Sequence, residues 1–438
     1  MPSEEPSTPQ DSGLIRAVGV PGLTANIVNT TIGAGIFALP AAVALRIGAA
    51  APLAFLICAC AMALFVTCFA IAGSRVSLTG GLYAYVEVAF GRYVGFLAGV
   101  FLYLSAVLSV AGVVTLFAGN VVALIPALNG FAGRVALMFL IYATLAWINI
   151  RGVKSGVRTV ATVTVAKLIP LIGFIIIGIF FIQPGAITWP TWPGANALGG
   201  AVLVLMFAFV GIEVALVPSG EVKNPSRTVP RAIYTALLVT TFLYIAIQLV
   251  AQGILGAELG QHPTTPLAEA AGRVLGDLGR TILLAGATIS AFGFVASDML
   301  SSPRLVYALG RDKILPPFFA KTHPRFHSPH VAIVAYAVMA FAFSLTSTFE
   351  RLAVMANVAV LFVYLLCCAG AWELMRRDVR SDGEPFGFPG VKVVPFLAIG
   401  LIIWILSQAS PREFSVAAAV LVVGSVLYFA RSALAKRT

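Results

Sequence analysis

Charged residues are scarce in this 438-residue chain, since Asp, Glu, Lys and Arg together make up only 10% of it. Hydrophobic residues make up 60%, and the mean hydropathy is +0.99. A soluble globule of this length needs far more polar surface to face water. The composition therefore excludes a soluble globular protein and indicates a membrane protein with many spans.

Residues that carry metal, redox or catalytic chemistry are also few. The four histidines lie in loops or at span edges without zinc-ligand spacing, and the five cysteines fall within apolar segments. No phosphate-binding G-x-x-x-x-G-K-[ST] loop is present, which argues against ATP-driven transport by this chain. No nucleophile–base pair lies within the apolar segments. We therefore predict that the protein is not an enzyme and has no metal, disulfide framework or cofactor.

Long apolar segments dominate the chain instead. A helix needs about 20 apolar residues to cross a bilayer, and by that criterion the sequence predicts twelve spans. The predicted spans are residues 18–45, 49–74, 93–125, 131–150, 158–183, 198–219, 231–254, 279–301, 330–348, 351–375, 391–409 and 413–431. The polar, acidic N-terminus has no basic n-region, so no signal peptide is predicted. Residues 1–15 are predicted to be a disordered cytoplasmic tail.

Basic residues are distributed unevenly between the two sides of the membrane. If the N-terminus is cytoplasmic, 21 of the 28 Lys and Arg residues belong to inner segments and 6 to outer ones. The positive-inside rule therefore predicts a multi-pass protein of the plasma (inner) membrane with both termini in the cytoplasm. The net charge of +11 is spread over many short inner loops, which argues against a nucleic-acid partner.

The first span contains a motif that weakens a helix. Between Asn29 and Pro40, Gly33 and Gly35 stand one residue apart. Backbone groups freed in lipid are costly unless protein, water or a ligand satisfies them, so a break usually lines a cavity. The N–H groups beginning the second half would attract a carboxylate, and the carbonyls ending the first half would accept from an ammonium. From this span alone, close helix packing explains the glycines equally well.

The sixth span repeats this pattern, because Gly211 lies mid-span and Glu213 follows it. The first and sixth spans are five spans apart, so they begin on opposite membrane faces. Interrupted spans at matching positions of two five-span halves indicate an inverted repeat with a substrate site near the midplane. We therefore predict an all-α fold of two five-helix repeats, residues 16–183 and 198–377, with accessory helices 11 and 12 in residues 391–438.

Four motifs occur in an order that resembles the amino acid–polyamine–organocation (APC) superfamily of permeases over about residues 18–377. The motifs are Ile32–Phe37, Gly80-Gly81-x-Tyr83-x-Tyr85, Phe207–Glu213 with Lys223–Pro225, and Arg304-x-x-Tyr307-Ala308-x-x-Arg311-Asp312. The resemblance implies a fold of the LeuT type, in which spans 1 and 6 are broken. It also implies amino acid transport by alternating access, with the substrate and the lipid bilayer as partners.

Carried over by position, the resemblance places the substrate carboxylate on the backbone N–H groups of Gly33, Ala34 and Gly35. The α-ammonium would meet carbonyls of both broken spans, namely those of Thr31, Ile32, Phe207, Ala208 and Val210. Phe207 matches an aromatic residue that closes over the substrate in relatives. Ala34 stands where many relatives have serine, so carboxylate binding would rely on the backbone alone.

Lys167 lies deep in the fifth span, about nine residues or roughly 14 Å from Arg158. A charge at this depth indicates function unless the side chain snorkels to the surface. In some relatives a lysine here stands where sodium-coupled members of the fold bind an ion. On this resemblance we predict that Lys167 bridges the carbonyls of Asn29 and Ile32 to Ser290, and that uptake is sodium-independent.

Glu213 is a lone carboxyl at membrane depth, and is either a proton relay that couples transport or a group that stabilises a helix pair. Polar side chains of spans 3 and 10 could contact the substrate side chain or hold helices together; they are Tyr103, Ser105, Ser109 and Asn357.

Together these features predict a secondary transporter of neutral L-amino acids that uses proton coupling or exchange. A polyamine or cationic amino acid carrier is the alternative, although no second acidic residue besides Glu213 lies near the site to meet a distal cation. An amino-acid-gated channel or sensor is an alternative of another class, and it would bind its ligand without saturable countertransport.

Overall fold

The computed structural model describes residues 19–76, 81–151, 156–189, 191–213, 225–311, 315–380 and 384–435. The predicted tail at 1–15 and the motif residues Gly80, Lys223, Asn224 and Asp312 lie outside them. Within the described residues the chain is helical and contains no β-strand. The prediction of an all-α protein is therefore confirmed.

Fifteen α-helices make up the described part of the chain. The first seven are α1 (Val20–Thr31), α2 (Leu39–Ile47), α3 (Ala51–Gly73), α4 (Leu82–Phe90), α5 (Arg92–Leu124), α6 (Phe131–Arg151) and α7 (Gly156–Gly178). The others are α8 (Ala195–Phe209), α9 (Pro225–Leu255), α10 (Pro266–Ser301), α11 (Pro303–Arg311), α12 (His330–Thr346), α13 (Phe349–Arg376), α14 (Val394–Leu406) and α15 (Pro411–Ala435).

The length and apolar character of these helices suit a bilayer. Seven stretches of the described residues are long and apolar enough to span it: Leu39–Gly73, Arg92–Leu124, Phe131–Arg151, Arg227–Gln261, Pro266–Tyr307, Phe349–Arg376 and Pro411–Ala430. Four shorter apolar helices accompany them: Ala166–Phe181, Ala195–Phe209, His330–Thr346 and Val391–Leu406. The chain is thus a multi-pass membrane protein, and the count of twelve spans stays a prediction.

Proline residues stand at the start of several helices. Pro40, Pro266, Pro303 and Pro411 all lie at the first or second helical position. The missing N–H of proline costs nothing there, because the first N–H groups of a helix have no partner within it. Pro40 therefore marks where α2 resumes the helix after the break.

The core places both helix breaks beside long central helices. α5 packs along α13, so that a Cβ added at Gly112 would lie 3.4 Å from the Leu352 Cβ. α1 packs against α9, and α2 packs against α8. Large apolar side chains such as Phe139, Leu140 and Phe242 remain exposed at the outer surface, as expected for a surface that faces lipid.

Candidate substrate site

The first helix break lies between α1 and α2, where the sequence predicts it. α1 ends at Thr31, and Ile32 leaves the helical region with φ −74° and ψ 80°. A single 3₁₀ turn, Gly35–Phe37, precedes α2. The break therefore frees helix-end carbonyls on one side and N–H groups on the other.

The N–H side of this break offers donors to an anion. The Gly33 N–H donates to the Thr31 carbonyl at 2.8 Å, so it is already used within the turn. The N–H groups of Ala34, Gly35 and Ile36 make no hydrogen bond within the described part of the chain. The donors available in this structure are therefore shifted by one residue from the predicted set.

Lys167 binds to the carbonyl side of the first break. Its ammonium donates to the Asn29 carbonyl at 2.6 Å, and the residue is only 6% exposed. A cation suits this position because the last carbonyls of a helix lack partners and carry partial negative charge. Among the described residues Lys167 makes no hydrogen bond to Ile32 or Ser290, and the buried Ser290 hydroxyl has no partner. The predicted bridge is thus present on the Asn29 side only.

The packing of α7 against α10 fixes the position of Lys167. Pro170 lies against Gly286 so closely that a Cβ added at Gly286 would be 2.6 Å from the Pro170 Cγ. Only glycine leaves room for this proline. The close approach holds the helix that carries Lys167 beside α10.

The second break ends α8. Val210 is extended (φ −63°, ψ 139°), and Gly211 has a φ of +112°, which favours glycine. A Cβ added at Gly211 would also lie 3.2 Å from the Thr30 carbonyl oxygen. Glycine is therefore required here both by the backbone conformation and by the approach of α1.

Glu213 accepts a hydrogen bond from one backbone N–H group at the second break. Its Oε2 accepts from the Gly211 N–H at 3.0 Å and from the Tyr364 hydroxyl of α13 at 2.7 Å. The residue is buried, and no Lys, Arg or His among the described residues forms an ion pair with it. This geometry ties the end of α8 to α13, and is compatible with both predicted roles of the carboxyl.

A buried tyrosine connects the two breaks. The Tyr244 hydroxyl of α9 contacts the Thr31 carbonyl at 3.0 Å and the Ala208 carbonyl at 2.9 Å. Its ring packs edge-on against Phe55 and Phe209. Sequence reasoning missed this residue. The available signal was a tyrosine in the middle of a predicted span, far from the interface where tyrosines concentrate.

A cavity lies between the two breaks, with about 350 Å³ of empty space including its open mouth. Seven of the eight predicted substrate residues line it: Thr31, Gly33, Ala34, Gly35, Phe207, Ala208 and Val210. Ser109, which the sequence left as either a substrate contact or a helix-packing residue, also lines the cavity. The sequence analysis did not assign the remaining lining residues, Thr30, Ile36, Val113 and Phe294, to the site. The other predicted residues, Ile32, Asn29, Lys167, Glu213 and Ser290, are outside the lining. None of the lining residues in the described part of the chain is charged.

Phe207 closes one side of this cavity. A Cβ added at Gly35 would lie 3.0 Å from its Cδ1, and its ring packs edge-on against Phe349 at 5.4 Å between centroids. Asn357, a predicted candidate for the substrate side chain, instead donates to the Leu203 carbonyl at 2.7 Å. It therefore holds α13 to α8, and is absent from the lining.

A sequence model described as an amino acid permease matches residues 18–430, which is nearly the whole chain. The chain belongs to the amino acid permease family. Membership explains the four sequence motifs and confirms the resemblance to the APC superfamily.

Relatives of this permease differ in their substrates. It is 28% identical to the serine/threonine exchanger SteT of Bacillus subtilis, over 91% of this chain and 92% of the relative. It is also 28% identical to a methylthioribose transporter of the same organism (96% and 94%) and 24% identical to an arginine/ornithine antiporter of Pseudomonas aeruginosa (93% and 89%). All three are named as transporters, and none is named as an enzyme.

Proposed function

We propose that this permease is a secondary transporter of neutral L-amino acids that works by alternating access. The supporting observation is the cavity between the two broken helices, which exposes backbone donors and acceptors and has no charged side chain in its lining. The proposal includes the LeuT-type arrangement of two inverted five-helix repeats, followed by two accessory helices. It also includes cytoplasmic termini and a location in the plasma (inner) membrane.

The two ends of a zwitterion would meet opposite sides of the first break. The substrate carboxylate would accept from the free N–H groups of Ala34, Gly35 and Ile36. The ammonium would meet carbonyls that end α1 and α8. Because the Tyr244 hydroxyl already contacts those of Thr31 and Ala208, substrate binding would rearrange its hydrogen bonds.

The lining of the cavity favours a neutral side chain. Ser109 supplies a hydroxyl, while Val113 and Phe294 are apolar. A cationic substrate would need a carboxylate near its distal charge, and Glu213 is bonded to Tyr364 outside the lining. The cationic carrier is therefore the weaker candidate.

Transport would be independent of sodium, because the Lys167 ammonium already places a positive charge at the carbonyl end of α1. A fixed charge suits an exchanger, whereas a lysine that releases its proton during the cycle suits proton symport. Replacement of sodium by a large organic cation should leave uptake unchanged. A requirement for a sodium gradient would contradict this role of Lys167.

A thermal-shift screen of the twenty amino acids on the purified full-length protein tests the substrate class. A ligand that binds only the folded protein raises its apparent stability with concentration. We expect a small neutral L-amino acid, such as serine, threonine or alanine, to give the largest shift. A larger shift with arginine, ornithine or a polyamine would favour the cationic carrier.

Proteoliposomes loaded with the best ligand then test the mechanism. A carrier should show saturable uptake that is accelerated by substrate on the opposite side if it exchanges, or by an imposed proton gradient if it is a symporter. Binding without any saturable flux would instead indicate the channel or sensor.

A further inference from the structure

One face of α9 carries polar residues at every fourth position through the membrane. Thr240, Tyr244, Gln248 and Gln252 follow one another at helical spacing. Each step rises about 6 Å, so the four residues extend over about 18 Å of helix. We call this surface the polar face of α9. It begins one turn before the tyrosine that joins the two helix breaks and ends near the C-terminus of α9.

Polar atoms of this face are buried without partners. Gln248 is 0% exposed, and neither its amide nitrogen nor its amide oxygen has a hydrogen-bond partner among the described residues. The Thr240 hydroxyl and the Gln252 amide oxygen are likewise buried and unpartnered there. Unsatisfied buried polar groups are rare because each one carries a desolvation penalty. Three such cases among the four residues of this face therefore require an explanation.

Both ends of this face adjoin groups that can complete a chain of hydrogen bonds. At one end Gln252 donates to the Gly256 carbonyl at 2.9 Å, and the next residues, Ala257 and Glu258, are exposed. Towards the other end, one turn after Thr240, the Tyr244 hydroxyl contacts two carbonyls through its single proton, and its oxygen can still accept a hydrogen bond.

We propose that the polar face of α9 binds a file of buried water molecules that links the surface near Gln252 to the Tyr244 hydroxyl. Water fits because the unpartnered atoms include both donors and acceptors, and a buried water needs two to four such partners. The spacing also fits. One water making two hydrogen bonds of about 2.8 Å at a near-tetrahedral angle spans about 4.5 Å, and the flexible glutamine side chains can make up the rest of the rise of about 6 Å between successive residues.

The file gives Tyr244 an alternative hydrogen-bond partner during the transport cycle. When a substrate ammonium takes both the Thr31 and the Ala208 carbonyl, the displaced hydroxyl proton can turn towards water instead of being left unpaired. This role depends on the proposed function, whereas the water site itself does not.

The variant Q248M tests the site, because methionine keeps the length of the side chain and removes both polar atoms. The matched control is Q261M, which makes the same change at an exposed position just beyond α9. For full-length wild type we expect ordered water density along the polar face in a map that resolves water. In Q248M we expect that density to be lost, the thermal midpoint to fall, and the transport rate to fall about fivefold, as for loss of one hydrogen bond.

A dry site would give the opposite results. Without water, methionine would remove an unpaired amide, so Q248M would be more stable than wild type and the wild-type map would show no density beside Gln248. Either result would overturn the water site. Water density and stability are measured without substrate, so they remain decisive even if the protein proves not to transport amino acids. Unchanged transport in a Q248M protein that has lost the water would overturn the role in the cycle.

Discussion

The two helix breaks occupy matching positions in the sequence, but an ammonium group bonds to the backbone at the first and a carboxyl group at the second. At the first break the carbonyl side is held by the ammonium of Lys167, and the N–H groups of Ala34, Gly35 and Ile36 remain available. At the second break the Gly211 N–H is held by a carboxyl oxygen of Glu213. The N–H groups at the first break are therefore available to an anion, whereas the Gly211 N–H at the second break is already bonded to the side chain of Glu213.

This difference assigns separate tasks to the two breaks. A protein in lipid must satisfy the polar groups of any broken helix, and a ligand can serve only where no side chain already does. On the proposed function, the first break would supply the anion site, and the second would supply a fixed bend at Val210 and Gly211 that brings Ala208 and Val210 to the cavity. The Tyr244 hydroxyl contacts one carbonyl at each break and therefore links the two breaks.

The largest expected effect comes from G211A, which would break the fixed bend. Alanine is strained at a φ of +112°, and its Cβ would lie 3.2 Å from the Thr30 carbonyl oxygen. Backbone strain of this kind costs about 1–3 kcal/mol and must be relieved by movement of α8 or α1. We expect uptake in proteoliposomes to fall to background, with a lower thermal midpoint.

G173A is the matched control for that experiment. Gly173 lies within α7, and a Cβ there would meet nothing within 4 Å. Alanine favours a helix interior, so stability should stay equal or rise. Wild-type uptake in G211A would show that the second break does not shape the site.

The next largest effect is expected for K167M, which removes the cation from the first break. A hydrogen bond to a charged group contributes about 1.5–3 kcal/mol, so we expect transport to fall about 10- to 100-fold. K321M is the control, since Lys321 is exposed outside the spans. Wild-type transport by K167M would mean that the ammonium is dispensable at the carbonyl end of α1.

The sequence was sufficient to predict the breaks but not the residues that satisfy them. Gly33, Gly35 and Gly211 weaken a helix locally wherever the chain packs, so their effect can be read from sequence. Tyr244 and Tyr364 reach the breaks from other helices, and their partners depend on how α9 and α13 pack against α1 and α8. Such contacts follow from tertiary packing, which single-sequence periodicity does not encode.

The sequence also could not predict which N–H groups at the first break are free. The glycines predicted free N–H groups, yet the Gly33 N–H closes a turn onto the Thr31 carbonyl. That turn depends on the φ and ψ of Ile32, which no motif specifies. Lys167 was placed at the Asn29 carbonyl through resemblance to relatives, whereas depth in the membrane alone left snorkelling open.

A smaller effect is expected for Y244F, which keeps the ring but removes the link between the breaks. A substrate ammonium would have to take carbonyls from this hydroxyl, and each neutral hydrogen bond contributes about 0.5–1.5 kcal/mol, so we expect the substrate Kd to fall about 2- to 10-fold. Y142F is the control, because it also removes a buried hydroxyl, one that pairs with Ser344 at 2.9 Å. Weaker substrate binding by Y244F would show that the hydroxyl supports the site instead of competing with the substrate for the two carbonyls.

The smallest effect at neutral pH is expected for E213Q. Glutamine keeps an acceptor oxygen for the Gly211 N–H and the Tyr364 hydroxyl, so the bend should survive and the rate at pH 7 should stay within about threefold of wild type. Glutamine cannot exchange a proton, however, so any step that depends on protonation of Glu213 should lose its pH dependence. Uptake measured from pH 5 to 9 separates the two predicted roles. The control is E269Q, which makes the same change in the first turn of α10. A flattened profile would assign Glu213 to coupling, whereas a wild-type profile would leave it as the group that closes the second break.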